Sequence, residues 1–113
     1  MGILAFLRKI IPPIFLSDEE IFSRVTPEFL SKQRVKMITP QKYFKWLMAE
    51  YCKLSAIVEE RKIKRMKLPE WWIEKAEIIE KEIKETGNLL GISPLKNEED
   101  KLSKVLRKIV YKI

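Results

Sequence analysis

Residues 39–67 read TPQKYFKWLMAEYCKLSAIVEERKIKRMK, with no glycine and a single proline, Pro40, next to the start. Thr39 is a good helix N-cap, because its hydroxyl can accept a hydrogen bond from an otherwise unpartnered N–H of the first turn. Pro40 suits the first helical position, where its missing N–H costs nothing. Phe44, Leu47, Tyr51, Leu54 and Val58 follow at spacings of three and four, which puts them on one face of a helix. The pattern predicts a helix over 40–66, roughly 40 Å long at ~1.5 Å per residue. Its far end changes character: Arg61, Lys62, Lys64, Arg65 and Lys67 follow one another with no acid between them. The apolar seam requires partner helices, and the basic end attracts an anionic surface.

The composition agrees with such a bundle. At 113 residues the chain can bury one real core but not two. Charged residues at 35% with only three glycines fit a helical protein far better than a sheet or a disordered chain. The expected fold is all-α: a small bundle of four to five helices over 17–113, preceded by an N-terminal amphipathic segment over 1–16. The net charge of +7 favours nucleic acid, an anionic membrane or an acidic partner. Plain solubility is the competing explanation. Abundant Lys, Glu and Ile beside two Asn and two Gln are compatible with a thermophilic source.

Several chemistries are excluded. Cys52 is the only cysteine and there is no histidine, so neither an internal disulfide nor a Cys/His zinc site can form. No histidine base exists to activate Cys52 or a serine. Gly2, Gly87 and Gly91 cannot make a phosphate-cradling loop or a dinucleotide fingerprint. The acids of 70–85 recur beside lysines at helical spacing, the pattern of a salt-bridged outer face and not of paired catalytic carboxylates. The chain reads as a non-enzyme without a cofactor. Nothing points to an oxidising compartment, so a cytoplasmic location is expected.

The N-terminal run MGILAFLRKIIPPIFL places Ile3, Leu4, Phe6, Leu7, Ile10 and Ile11 in a short amphipathic pattern halted by Pro12 and Pro13. It is too short to span a bilayer, which takes ~20 residues. It reads as a helix packed on the core or on a neighbouring subunit, with a membrane-surface anchor as the alternative. Ser17 to Glu20 is a capping box opening a helix with Ile21, Phe22 and Val25. Thr26-Pro27 starts another with Phe29 and Leu30, and Lys32, Arg34 and Lys36 then lead to the long helix as a solvated loop or, more sharply, as phosphate contacts. Leu68-Pro69-Glu70 opens a further helix with Trp72, Ala76, Ile79 and Ile83 as its stripe. Gly87-Asn88 should stop it, both residues tolerating a left-handed cap. A final helix from Asn97, acidic in its first turn, carries Leu102, Val105, Leu106, Ile109 and Ile113.

These readings put the expected phosphate contacts at Arg61, Lys62, Lys64, Arg65 and Lys67, supported by Lys104, Arg107, Lys108 and Lys112 on the last helix. Trp71, beside Trp72 at a helix start, is a candidate for stacking on bases. The expected partner is nucleic acid, double-stranded DNA first, bound by an oligomer in a charge-led, salt-sensitive mode.

The order of motifs adds a resemblance. The run from Glu20 to Leu30, then Ile38-Thr39-Pro40 before a helix containing Tyr51-Cys52, is similar to the first two segments of one family of phage terminase small subunits. Leu68-Pro69-Glu70 and the closing Leu90-Gly91-Ile92-Ser93-Pro94 resemble its third segment, so the likeness covers roughly 20–102. The chain departs from that pattern at Leu95-Lys96-Asn97-Glu98, where the family usually has Ser and Arg, and in lacking a glycine-containing link before the third segment. The resemblance implies a non-enzymatic subunit of a viral DNA-packaging motor, inside the host cell. Such a subunit forms rings, binds viral DNA and presents it to the large ATPase–nuclease. The alternative is an interaction protein docking onto a larger protein assembly, with peripheral membrane contact through the N-terminal segment.

Overall fold

The computed structural model describes residues 16–112; the expected amphipathic segment, apart from Leu16, lies outside them, as does Ile113. Five α-helices follow in order: α1 (Asp18–Ser23), α2 (Pro27–Met37), α3 (Pro40–Ile63), α4 (Trp71–Leu89) and α5 (Leu102–Tyr111). A 3₁₀ turn, Glu98–Asp100, precedes α5, and no strand occurs among the described residues. The fold is all-α.

Local chemistry sets three of the helix starts. Ser17 Oγ accepts from the Glu20 N–H at 3.1 Å while the Glu20 carboxylate accepts from the Ser17 N–H at 3.2 Å, a complete capping box. Thr26 and Thr39 cap α2 and α3 through Phe29 N–H and Lys42 N–H, each with proline at the first helical position. Between α2 and α3 the chain turns on Ile38 alone, at φ 69°, and the Thr39 N–H donates to the Met37 carbonyl at 2.7 Å. This is a γ-turn of the rare positive-φ kind, strained for a β-branched residue.

α3 and α4 form an antiparallel hairpin. Tyr43 at the start of α3 donates to Glu82 near the end of α4, and Tyr51 donates to Glu80. Leu47, Tyr51, Leu54 and Val58 are buried as their spacing predicts. In the first turn of α3, however, Tyr43 is the core residue and Phe44 is half-buried, because the Tyr43 ring lies inward with its hydroxyl on Glu82. Trp72, Ala76, Ile79 and Ile83 face them from α4, all essentially inaccessible. α1 lies against the connected end of this hairpin, where Phe22 stacks on Trp72 with ring centroids 3.9 Å apart.

Four boundaries differ from expectation. α2 runs on to Met37, so Lys32, Arg34 and Lys36, expected in a solvated loop or as phosphate contacts, lie on a helix. The longest helix ends at Ile63 and not at residue 66: Arg65 takes φ 56°, and the Met66 and Arg65 N–H groups donate back to the Arg61 and Lys62 carbonyls. That pattern is a Schellman cap with arginine where glycine usually sits. α4 runs through Gly87-Asn88 and stops at Gly91, φ 73°, with Ile92 N–H donating to the Gly87 carbonyl at 2.8 Å. Gly87 serves packing instead: a Cβ there would lie 3.0 Å from both the Ile92 carbonyl oxygen and Pro94 Cδ. Finally, the acids at 98–100 occupy the 3₁₀ turn, and α5 begins only at Leu102.

The late start of α5 has a cause in α4. Glu80, buried, accepts from the Ser103 N–H at 3.0 Å, from Ser103 Oγ and from Tyr51 Oη at 2.6 Å. Tyr51 Oη in turn accepts from the Leu102 N–H at 2.8 Å. A carboxylate and a phenol from two other helices thereby satisfy the unpartnered N–H groups at the positive end of α5. Farther along, Arg107 pairs with Glu77 and Tyr111 with Glu70, so α5 runs antiparallel to α4.

Candidate nucleic-acid interface

The cations expected to form one outward strip at the end of α3 are not presented that way. Arg61 turns inward, its side chain 12% exposed, with Nε donating to Asp18 at 3.1 Å and Nη2 to Glu19 at 2.7 Å. Its guanidinium lies 4.6 Å over the Trp72 ring, and Nη1 donates to the Lys67 carbonyl. Burial alone lowers the Arg61 pKa, yet the bonds to Glu19 and Asp18 outweigh it and hold the group above its usual value. The Arg61 bond also holds Glu19 below the usual carboxylate range. Arg61 is thus the clasp joining α1, α3 and α4, and it has no free edge for a phosphate.

Its neighbours are partly neutralised. Lys62 pairs with Glu59 and Lys64 with Glu60, the latter at 2.8 Å. On α5, Arg107 pairs with Glu77 at 2.7 Å and Lys108 with Glu99 at 2.9 Å. Of the nine expected contacts, Arg65, Lys67, Lys104 and Lys112 have no ion-pair partner among the described residues. Trp71 stays 40% exposed, but it shares a shallow cleft of about 490 Å³ with Glu70, Glu74 and Glu77. Negative charges there repel a phosphate backbone, so the surroundings oppose base stacking by Trp71. Trp72, fully buried, is unable to stack on a base.

A different stretch keeps its charge. From residue 29 to residue 49 there is no acid, while Lys32, Arg34, Lys36, Lys42 and Lys45 are all exposed. Only Arg34 has a partner, Glu82 at 3.5 Å. The two helices that carry these cations meet at the Ile38 turn and pack through Phe29 and Trp46, whose ring centroids lie 5.8 Å apart. The positive end of α3 adds its partial charge beside Lys42. Next along α3, the buried Glu50 is shared between Arg24 at 2.6 Å and Lys53 at 2.9 Å, leaving that trio one positive charge in excess. The signal is present in the sequence as a window of charge without acids, with fewer cations per residue than 61–67.

Among the described residues no group of three or more Cys, Asp or Glu side chains is placed to hold a metal ion, and no helix is long and apolar enough to cross a membrane. Compared with known proteins, the chain matches no family model, no curated sequence and no solved structure.

Proposed function

We propose that this protein is a non-enzymatic nucleic-acid-binding bundle that engages double-stranded DNA through the cations of α2 and the first half of α3. The observation that carries this reading is the acid-free stretch 29–49, in which Lys32, Lys36, Lys42 and Lys45 are exposed and lack ion-pair partners among the described residues. Elsewhere among the described residues most carboxylates lie close to cations, and Arg61, Lys62, Lys64, Arg107 and Lys108 are paired. A surface left uncompensated in this way attracts a polyanion by counterion release, a force that depends on charge and not on base sequence. In its most concrete form the activity is that of a terminase small subunit, an oligomer gathering viral DNA for a packaging motor, as the order of motifs suggests.

Fluorescence anisotropy of a labelled duplex, titrated across ionic strength, tests the reading. With about four phosphate contacts the slope of log K against log salt is about −3.6, so affinity falls by about 150-fold between ~50 and ~200 mM salt. An affinity that stays level over that range refutes a phosphate-led mode.

One observation favours a second reading, docking onto a protein assembly. Val35, Ile38 and Leu89 are 77–83% exposed, and Ile38 and Leu89 line one groove. Light scattering with and without DNA separates the two: a monomer indifferent to duplex supports the adaptor.

A further inference from the structure

We infer that the outward stripe of α3 from Gln41 to Ala56 is the surface that enters the major groove of duplex DNA. The inference rests on the nucleic-acid reading and assigns it a docking element. Lys45, Ala49, Cys52 and Ala56 are exposed and follow at spacings of four, three and four, which makes them one row along the helix. Lys42 and Lys53 are exposed beside this row. The row is unlike the outer face of α4, where Glu74, Glu77, Lys81, Lys84 and Glu85 mix both signs. Here three small side chains stand in one row at solvent-facing positions, which leaves that face of the helix narrow. Lysines flank them, and the first acids on the same face are Glu59 and Glu60. Glu50, the one acid within the stretch, points inward and is held by Arg24 and Lys53.

The dimensions suit a groove. Gln41 to Ala56 spans about 22 Å at ~1.5 Å per residue, and the B-form major groove, about 12 Å wide and 8.5 Å deep, admits one α-helix. A narrow row lets the helix backbone sit deep, while the long lysines reach the phosphates on either wall. The helix enters by its positive end, with Lys32 and Lys36 of α2 just before the turn. Charge disfavours the main competitor, a symmetric pairing of this stripe with a second copy, because identical cationic rows would face each other.

Cys52, exposed and the only cysteine, is a built-in reporter at the middle of the stripe. The full chain is treated with a maleimide dye, with and without a duplex of about 20 base pairs, two helical turns. With duplex about a hundredfold above Kd only about 1% of the protein is free, so alkylation is expected to slow by about a hundredfold. Protein already carrying a bulky maleimide on Cys52 should bind at least about tenfold more weakly than the unlabelled protein. Lys42→Glu with Lys45→Glu should abolish binding, while Lys81→Glu with Lys84→Glu on α4, the same change in net charge, leaves most of it. Helicity by circular dichroism shows that each variant is folded. A duplex that binds with salt-sensitive affinity but leaves Cys52 fully reactive overturns the α3 assignment and spares the nucleic-acid reading. No binding at low salt overturns both. Protection of Cys52 that rises with protein concentration in the absence of DNA assigns the stripe to self-association and also overturns the inference.

Discussion

Replacing Glu80 with Ala removes a buried carboxylate that accepts hydrogen bonds from Tyr51 Oη, the Ser103 N–H and Ser103 Oγ. Hydrogen bonds to an ionised group contribute about 1.5–3 kcal/mol each, and a buried donor left unpaired costs about 1–3 kcal/mol. Against this, the variant no longer desolvates a charge, which is worth several kcal/mol in its favour. The net expectation is a loss of about 4 kcal/mol, a large part of the ~6–17 kcal/mol that a chain of this length has. Glu80→Gln should cost only about 1–2 kcal/mol. Its carbonyl can take the Tyr51 and Ser103 N–H donors, and its amide can donate to Ser103 Oγ, so only the charge assistance is lost. Urea unfolding followed by circular dichroism reads the difference. At a slope of about 1–3 kcal/mol per molar urea, the Ala variant should unfold at a midpoint lower by about 1.3–4 M. An Ala variant within ~1 kcal/mol of the parent would mean that α5 docks by apolar contacts alone, refuting the reasoning. A Gln variant as damaged as Ala would refute the acceptor geometry and leave the charge as the cause.

Three further outcomes are expected. Gly87→Ala should destabilise by about 1–2 kcal/mol on thermal unfolding, although Ala ordinarily improves a helix interior by about 1 kcal/mol, because the Cβ would press on the Ile92 carbonyl and Pro94. Arg65→Gly should stabilise by about 0.5–1 kcal/mol, since glycine relieves the positive φ at the end of α3, and should raise the melting temperature. Burial first, then the hydrogen bonds to Glu82 and Glu80, push the phenol pKa values of Tyr43 and Tyr51 well above their ordinary value. Groups raised in the fold give their full stabilisation below the unfolded value of about 10 and lose it as pH climbs past that value. Stability should therefore fall with alkali from about pH 10 upward, and phenolate absorbance from these two residues should appear only as the helices melt.

The Glu80 site shows where local reading of the sequence stops. The glutamate looks like its neighbours Glu77 and Glu82 in a run of mixed charge, yet of the three it alone is buried, under the start of α5. Likewise Arg61 sits in the densest cationic run, and only the placement of α1 over Trp72 commits it to Asp18 and Glu19, more than forty residues earlier. Gly87 and Gly91 are both plausible stops, and the loop returning at Ile92 and Pro94 decides that one serves packing and the other the cap.

By itself the sequence determined the all-α architecture, the burial of Leu47, Tyr51, Leu54 and Val58 on α3, of Trp72, Ala76, Ile79 and Ile83 on α4 and of Leu102 and Leu106 on α5, and the starts of α1, α2 and α3. Those features depend on residues three or four positions apart, so the pattern that produces them is written locally. Only the tertiary structure decided which charges remain available. A cation is neutralised by whichever carboxylate the helix packing brings within about 4 Å, and that partner can lie anywhere in the chain. Packing closed off Arg61 and paired Arg107 with Glu77, whereas the pairs of Lys62 and Lys64 are local to α3; it left Lys32 and Lys36 of α2 and Lys42 and Lys45 of α3 without a carboxylate partner among the described residues.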